Sequence, residues 1–322
     1  MRYRKLGRTQ LQVSEIGYGA WGIGGVMWAD SQDDTSNEAL EKAISLGLRF
    51  IDTAYVYGDG HSEELVGKVR ARHPSVTVAT KVPPKNFLWP ARPGVPINDV
   101  FPLDWIISCT ERSLKKLGVE QIDLQQLHVW SPEFIHADEW REGAERLKAQ
   151  GKIRFFGVSV NDHQPQSVLE LVRTGLIDTV QVIYNIFDQS PGDALLQLCG
   201  ELNVGVIARC PFDEGGLTGA IKPGVTFPKS DWRNRYFSGD RPQQVFEHTE
   251  KLRAEVGDAA VSLPDAALRY CLSNPAVSTV IPGMRRPSSV EQNCASSDRG
   301  PLPADLLERL KAHRWDRNFY PA

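Results

Sequence analysis

Eight short apolar runs recur along this chain: Ile16–Ala20, Phe50–Asp52, Val76–Thr80, Ile122–Leu127, Ile153–Val158, Thr179–Val182, Val204–Ala208 and Val277–Ile281. Each reads as a buried strand. Amphipathic helical patterns lie between them, near residues 35–47, 61–71, 104–118, 138–150, 163–174, 192–202 and 262–274, with another near 287–297. Alternating strands and helices make a parallel sheet wrapped by helices, and eight repeats favour closure into a (β/α)₈ TIM barrel over an open sheet. No linker or low-complexity tract divides the 322 residues, so one domain over 1–322 is expected. The opening segment, Tyr3 to Val13, holds a Gly7-Arg-Thr turn and reads as a short N-terminal hairpin plugging the barrel bottom.

The strand ends carry chemistry. Asp52-Thr-Ala-Tyr-Val-Tyr57-Gly follows the second run, Lys81 closes the third, His128 the fourth, and Ser159 follows the fifth. These ends share the face where barrel enzymes place their active sites, and Asp, Tyr, Lys and His together make a proton-transfer set. Lys81 shares a strand face with the small residues Thr77 and Ala79, which leave room for a long side chain. Buried Asp and Lys are rare unless paired, so an Asp52–Lys81 ion pair is expected. The ammonium should lower the Tyr57 pKa from its reference near 10 and make the phenol a usable general acid. His128 is placed to orient a carbonyl. Taken singly, His128 reads as a satisfied polar cap and Tyr57 as loop packing; the four together outweigh those readings.

Other chemistries fit poorly. A net charge of -3 and a pI near 6.2 give no electrostatic case for nucleic acid or an anionic membrane. No apolar run approaches the roughly 20 residues of a membrane span, and Met1-Arg-Tyr-Arg-Lys-Leu lacks the apolar core of a signal peptide. The five cysteines are scattered, with no Cys-x-x-Cys pair, so neither a zinc site nor a disulfide framework is expected and a cytoplasmic location is. No G-x-S-x-G elbow or H-E-x-x-H pair occurs, so no serine-hydrolase or metal site is expected. Gly17-Tyr-Gly-Ala-Trp-Gly22 matches G-x-G-x-x-G, but helical periodicity starts only near Thr35, which argues against a Rossmann site. Two long connections, 82–104 and 211–241, follow strand ends and read as lids over the active face.

Phe50-Ile-Asp-Thr-Ala-Tyr-Val-Tyr57-Gly with Ser62-Glu-Glu-Leu-Val-Gly67, Thr80-Lys81, Ile122-Asp-Leu-Gln-Gln-Leu-His128, Gly157-Val-Ser159, Val180-Gln181 and Leu217-Thr-Gly219 make the chain resemble the aldo-keto reductase superfamily. The resemblance spans nearly the whole chain and points to a bacterial branch with poorly defined substrates. It implies the barrel with an N-terminal hairpin, a nicotinamide cofactor bound without a Rossmann domain, and carbonyl reduction. The family tetrad falls on Asp52, Tyr57, Lys81 and His128. Ser159, Gln181 and Asn161 fall where the family holds the nicotinamide carboxamide, with Asn161 one place later than usual. Arg209 replaces the aromatic residue that often stacks on the nicotinamide; a guanidinium plane also stacks on rings. The resemblance implies further cofactor contacts from Trp21, Pro211, Gly216, Leu217 and Gly283.

Arg285 and Arg286 open a helix, which suits a phosphate. The family binds the adenosine 2′-phosphate there and the adenine edge at the positions of Gln292 and Asn293, so NADPH/NADP+ is expected over NADH. Trp28, Trp89, Trp130 and Trp232 are expected around the mouth, where aromatic walls accept apolar, aromatic or sugar-ring faces of a small carbonyl substrate. Arg233 and Arg235 are candidates for holding an anionic group. Two other functions stay open: a nicotinamide-binding regulatory subunit, and a redox-neutral enzyme that recycles its cofactor. Oligomeric state is not legible.

Overall fold

The structure, a computed structural model, describes residues 1–29 and 31–316. Two antiparallel strands, β1 (Tyr3–Lys5) and β2 (Gln12–Ser14), form the N-terminal hairpin. Eight parallel strands follow: β3 (Tyr18–Gly19), β4 (Phe50–Asp52), β5 (Thr77–Val82), β6 (Ile122–Leu127), β7 (Ile153–Ser159), β8 (Thr179–Ile183), β9 (Gly205–Arg209) and β10 (Val277–Val280). They lie side by side in chain order. Parallel bridges Ile16–Val280 and Gly19–Gly283 join the first strand to the last, which closes the sheet into the expected TIM barrel with helices outside.

Strand alternation divides the core in two. Phe50, Ala79, Leu124, Ile207 and Ile281 fill the barrel interior together with Leu6 and Val13 of the hairpin. Neighbours of opposite parity, such as Ile51, Val78, Val158 and Val206, join the larger core beneath the helices. The hairpin is therefore the plug at the strands' N-terminal end. Its turn needs Gly7: φ is +49°, and a Cβ there would lie 2.2 Å from the Gly205 nitrogen.

The helix Leu103–Leu117 shows how the outer layer forms. Ile106, Cys109, Thr110, Ser113 and Leu117 make one buried stripe at helical spacing, and Gly118 ends it in the left-handed conformation at φ 64°. The sequence reading misses two helices. Arg241–Val256 is a 16-residue helix whose buried face is Arg241, Val245, Thr249, Leu252 and Val256; two polar residues interrupt its apolar stripe. Ala304–Leu310 is a shorter one near the end. Both long connections are built rather than open, with Ile97–Val100 and Arg233–Tyr236 as short helices inside them. The glycine fingerprint leads into a 3-10 turn at Trp21–Ile23, and the next helix starts only at Asp33. Among the described residues, no helix is long and apolar enough to cross a membrane.

Candidate active site

The ends of β4, β5 and β6 meet at the rim. Lys81 is fully buried and Asp52 nearly so. Lys81 Nζ donates to Asp52 Oδ2 at 2.5 Å, to the Thr53 carbonyl at 2.8 Å and to Tyr57 Oη at 3.2 Å. An ammonium has three N–H donors, and all three are used. Because the ammonium donates to the phenol oxygen, the phenol hydrogen is free to point elsewhere, and Tyr57 lines an open cleft. Tyr57 reaches this position through a tight turn after β4, in which its N–H bonds to the Ala54 carbonyl at 3.0 Å. Gly58 makes the turn possible: φ is +75°, and a Cβ would lie 2.1 Å from the Gly24 carbonyl oxygen.

His128 stands beside Tyr57, ring centroids 5.8 Å apart and nearly perpendicular, with Trp89 against its other side at 5.7 Å. Burial, reinforced by Lys81 and Arg209, holds its pKa well below the usual histidine range. The imidazole is therefore neutral and has one N–H to donate. The expected lowering of the Tyr57 pKa is overturned. Burial, followed by the Asp52 carboxylate, raises it well above 10. Asp52, close against Lys81, offsets part of the ammonium's field at the phenol, so burial prevails and the phenol stays protonated.

The cleft holds about 1210 Å³. Trp21, Trp28, Trp89, Trp232 and Phe87 wall the part near Tyr57, and Trp21 lies 6.1 Å from both the Tyr57 and Trp232 rings. Trp130 is a correction. It is fully buried, edge-on to Phe134 and Trp140, and does not line the cleft. β6 ends at Leu127, and the segment after it turns Trp130 into the core beneath the helices. Asn161 borders the cleft, but its amide is spent on the 82–104 connection: it bonds the Ala91 N–H at 3.2 Å and the Ala91 carbonyl at 3.1 Å.

Ser159, Gln181, Arg209, Pro211, Gly283, Arg285 and Arg286 also line the cleft. Arg209 pairs with Asp162 and donates to the Val160 carbonyl at 2.9 Å, which fixes its guanidinium at the rim. Arg285 donates to the Ala29 carbonyl at 2.7 Å and lies 5.3 Å over the Trp28 ring. Arg286 is exposed at the start of the helix Pro287–Arg299. Gly216, Leu217, Gln292 and Asn293 fall outside the cleft lining. Leu217 is buried in the core, Asn293 is buried on its helix, and Gln292 faces outward.

Sequence reasoning gave no site role to Cys210, which stands beside Glu214 on the cleft wall. Cys210 Sγ donates to Glu214 Oε1 at 3.2 Å, and burial pushes the Glu214 carboxyl up to about 7. Asp213, Glu214 and Gly215 all have positive φ, at 47°, 55° and 109°. Asp213 is anchored by Tyr236 and Arg241, so this bend of the 211–241 connection is pinned. The direct continuation of β9 past Arg209 was the available signal.

The model of the Aldo/keto reductase family matches residues 15–314, and the chain belongs to that family. It is an oxidoreductase of a family that reduces carbonyls with NAD(P)H. It is similar to an uncharacterized oxidoreductase, YqkF, of Bacillus subtilis, at 29% identity over 97% of this chain and 96% of that one. It is also similar to the NADH-specific methylglyoxal reductase of Escherichia coli, at 28% identity over 98% and 100%. The holo form of aldo-keto reductase AKR11C1 from Bacillus halodurans superposes with a TM-score of 0.78 at 25% identity, covering 98% of this chain and 97% of that one.

The residues present fit such a cofactor. The cleft exceeds the ~300–1,000 Å³ of ordinary ligand pockets, enough for a dinucleotide beside a small carbonyl. At Gly283 a Cβ would meet nothing within 4 Å, so that stretch of wall is open. Beyond it, Arg285, Arg286 and Ser289 gather at a helix start, a donor set suited to phosphate.

Proposed function

We propose that the chain, acting as one unit over 1–322, reduces an aldehyde or ketone with NADPH, with Tyr57 as the general acid. The observation that carries this is the bond from Lys81 Nζ to Tyr57 Oη beside a neutral His128 in one aromatic cleft. The cofactor, when bound, supplies the hydride. Tyr57 hands its proton to the carbonyl oxygen. The His128 N–H holds that oxygen in line. Lys81, fixed by Asp52, stabilises the phenolate left behind. The tryptophan walls exclude water and accept an apolar, aromatic or sugar-ring face, so sugar-derived carbonyls are among the substrates proposed.

Steady-state turnover on a panel of carbonyls, with NADPH and with NADH, tests the reading. NADPH binding without multiple turnover on any carbonyl would favour a regulatory subunit instead. Product formation with no net change in nicotinamide absorbance would favour internal recycling of the cofactor.

Cofactor preference rests on Arg285 and Arg286. A hydrogen bond to a charged group contributes about 1.5–3 kcal/mol, so NADPH should bind roughly 10–100-fold more tightly than NADH. Replacing both arginines by Ala should erase most of that ratio. Equal Kd values for the two cofactors in the unmodified protein would remove the 2′-phosphate assignment, and the NADH-specific relative makes the measurement pertinent.

The pKa directions set a pH dependence. Tyr57 is an acid that stays protonated until well above its usual range, and His128 stays neutral down to well below its own. Reduction should therefore be flat across neutral pH and fall only on the alkaline side. Alcohol oxidation needs the phenolate and should rise with pH over the same window. Rates in both directions from about pH 6 to above 10, where the phenol begins to ionise, check this; a step in reduction near pH 6.5 would show that His128 titrates.

A further inference from the structure

Asp52 Oδ2 is committed to Lys81, and the other oxygen meets two amides. Gln181 Nε2 donates to Asp52 Oδ1 at 2.7 Å, and Gln126 Nε2 approaches it at 3.4 Å. Gln181 Nε2 also lies 3.5 Å from Gln126 Oε1. All three side chains are buried, and they come from three different strands, β4, β6 and β8. Gln126 is the ladder partner of Lys81 on one side and of Gly157 on the other. Barrel interiors are ordinarily filled by branched apolar residues, and a buried amide is costly unless bonded. These amides have the carboxylate as their shared partner.

We propose that Gln126 and Gln181 form an amide clamp on Asp52 that holds its carboxylate square to Lys81, which makes Gln126 a positioning residue for the Tyr57 acid. The inference rests on the reading of Tyr57 as the proton donor. The terminal torsion of an Asp carboxylate is broad and only roughly two-fold, so it fixes the two oxygens loosely. With Oδ1 held by the amides, only Oδ2 faces the ammonium, and the ammonium keeps its third N–H on Tyr57. Gln181 lines the cleft while giving an N–H to Asp52, so one side chain spans the cleft and the ion pair. The other charged and titratable groups that face this cluster are Glu63 from the helix His61–Arg72, His128 at the end of β6, Arg209 at the end of β9, and Cys210 and Glu214 beyond it.

The test is Gln126→Met and Gln126→Glu, assayed in the full-length protein beside Tyr57→Phe. Gln126→Met should leave the Kd for NADPH within about twofold and lower kcat about tenfold, the size of one lost hydrogen bond to a charged group. The alkaline limb of the reduction profile should move to higher pH, because a displaced Lys81 supports the phenolate less. Gln126→Glu should recover activity as pH falls, when its protonated carboxyl can donate to Asp52, and lose it as pH rises and two carboxylates meet.

A Gln126→Met enzyme with unchanged kcat, or with a lower kcat and an unmoved alkaline limb, overturns the clamp. If that variant does not fold, Gln126→Glu decides, and a pH response like that of the unmodified enzyme overturns the clamp. Tyr57→Phe separates the two levels: if it turns over normally, the acid assignment itself has failed, whatever the Gln126 variants do.

Discussion

Tyr57→Phe is expected to lower carbonyl reduction by about 10²–10⁴-fold, the usual contribution of a positioned general acid, while the Kd for NADPH stays nearly unchanged. The ring keeps its packing against Trp21 and His128, so only the hydroxyl is removed. In energy this is about 3–5 kcal/mol of barrier. Because the phenol stays protonated well above neutral pH, the loss should be uniform across the neutral range. Pre-steady-state hydride transfer and cofactor fluorescence titration read the two quantities separately. A loss confined to cofactor binding would place Tyr57 in the cofactor site and leave the acid unidentified.

Lys81→Met should be more damaging still, because it acts on stability and catalysis together. Lys81 is wholly buried and its three donors serve Asp52, Thr53 and Tyr57. Removing one member of a buried pair costs about 3–5 kcal/mol, since the remaining charge is left uncompensated. Adding Asp52→Asn should restore part of the stability without restoring turnover, because the charge is gone but the phenolate still lacks its ammonium. Thermal unfolding and steady-state kinetics on both variants separate the two effects. A single variant as stable as the parent would show that Asp52 is compensated by some other group.

Much of the barrel was legible because its signals are local and repeated: apolar runs at strand length, helical periodicity between them, and a polar residue at each functional strand end. The helix Arg241–Val256 was not, since Arg241 and Thr249 break its buried stripe and a glycine-rich connection precedes it. Asp52, Tyr57 and Lys81 could be grouped from motif and strand parity. Gln126 could have been added the same way, as it shares parity with Leu124 on β6. Trp130 misled because a place just after a strand end does not say which way the side chain turns, and this one turns into the core beneath the helices. The Tyr57 pKa was misjudged for a different reason. A pairwise view of Lys81 and Tyr57 omits both burial and the counter-charge of Asp52, which are properties of the packed site.

The most direct test is a crystal structure with NADP+ and a carbonyl ligand bound. The account predicts the carbonyl oxygen within about 2.6–3.2 Å of both Tyr57 Oη and a His128 ring nitrogen, with its carbon facing the nicotinamide and Lys81 still on Tyr57. A carbonyl oxygen bound away from Tyr57, with another side chain in donor position, would contradict it.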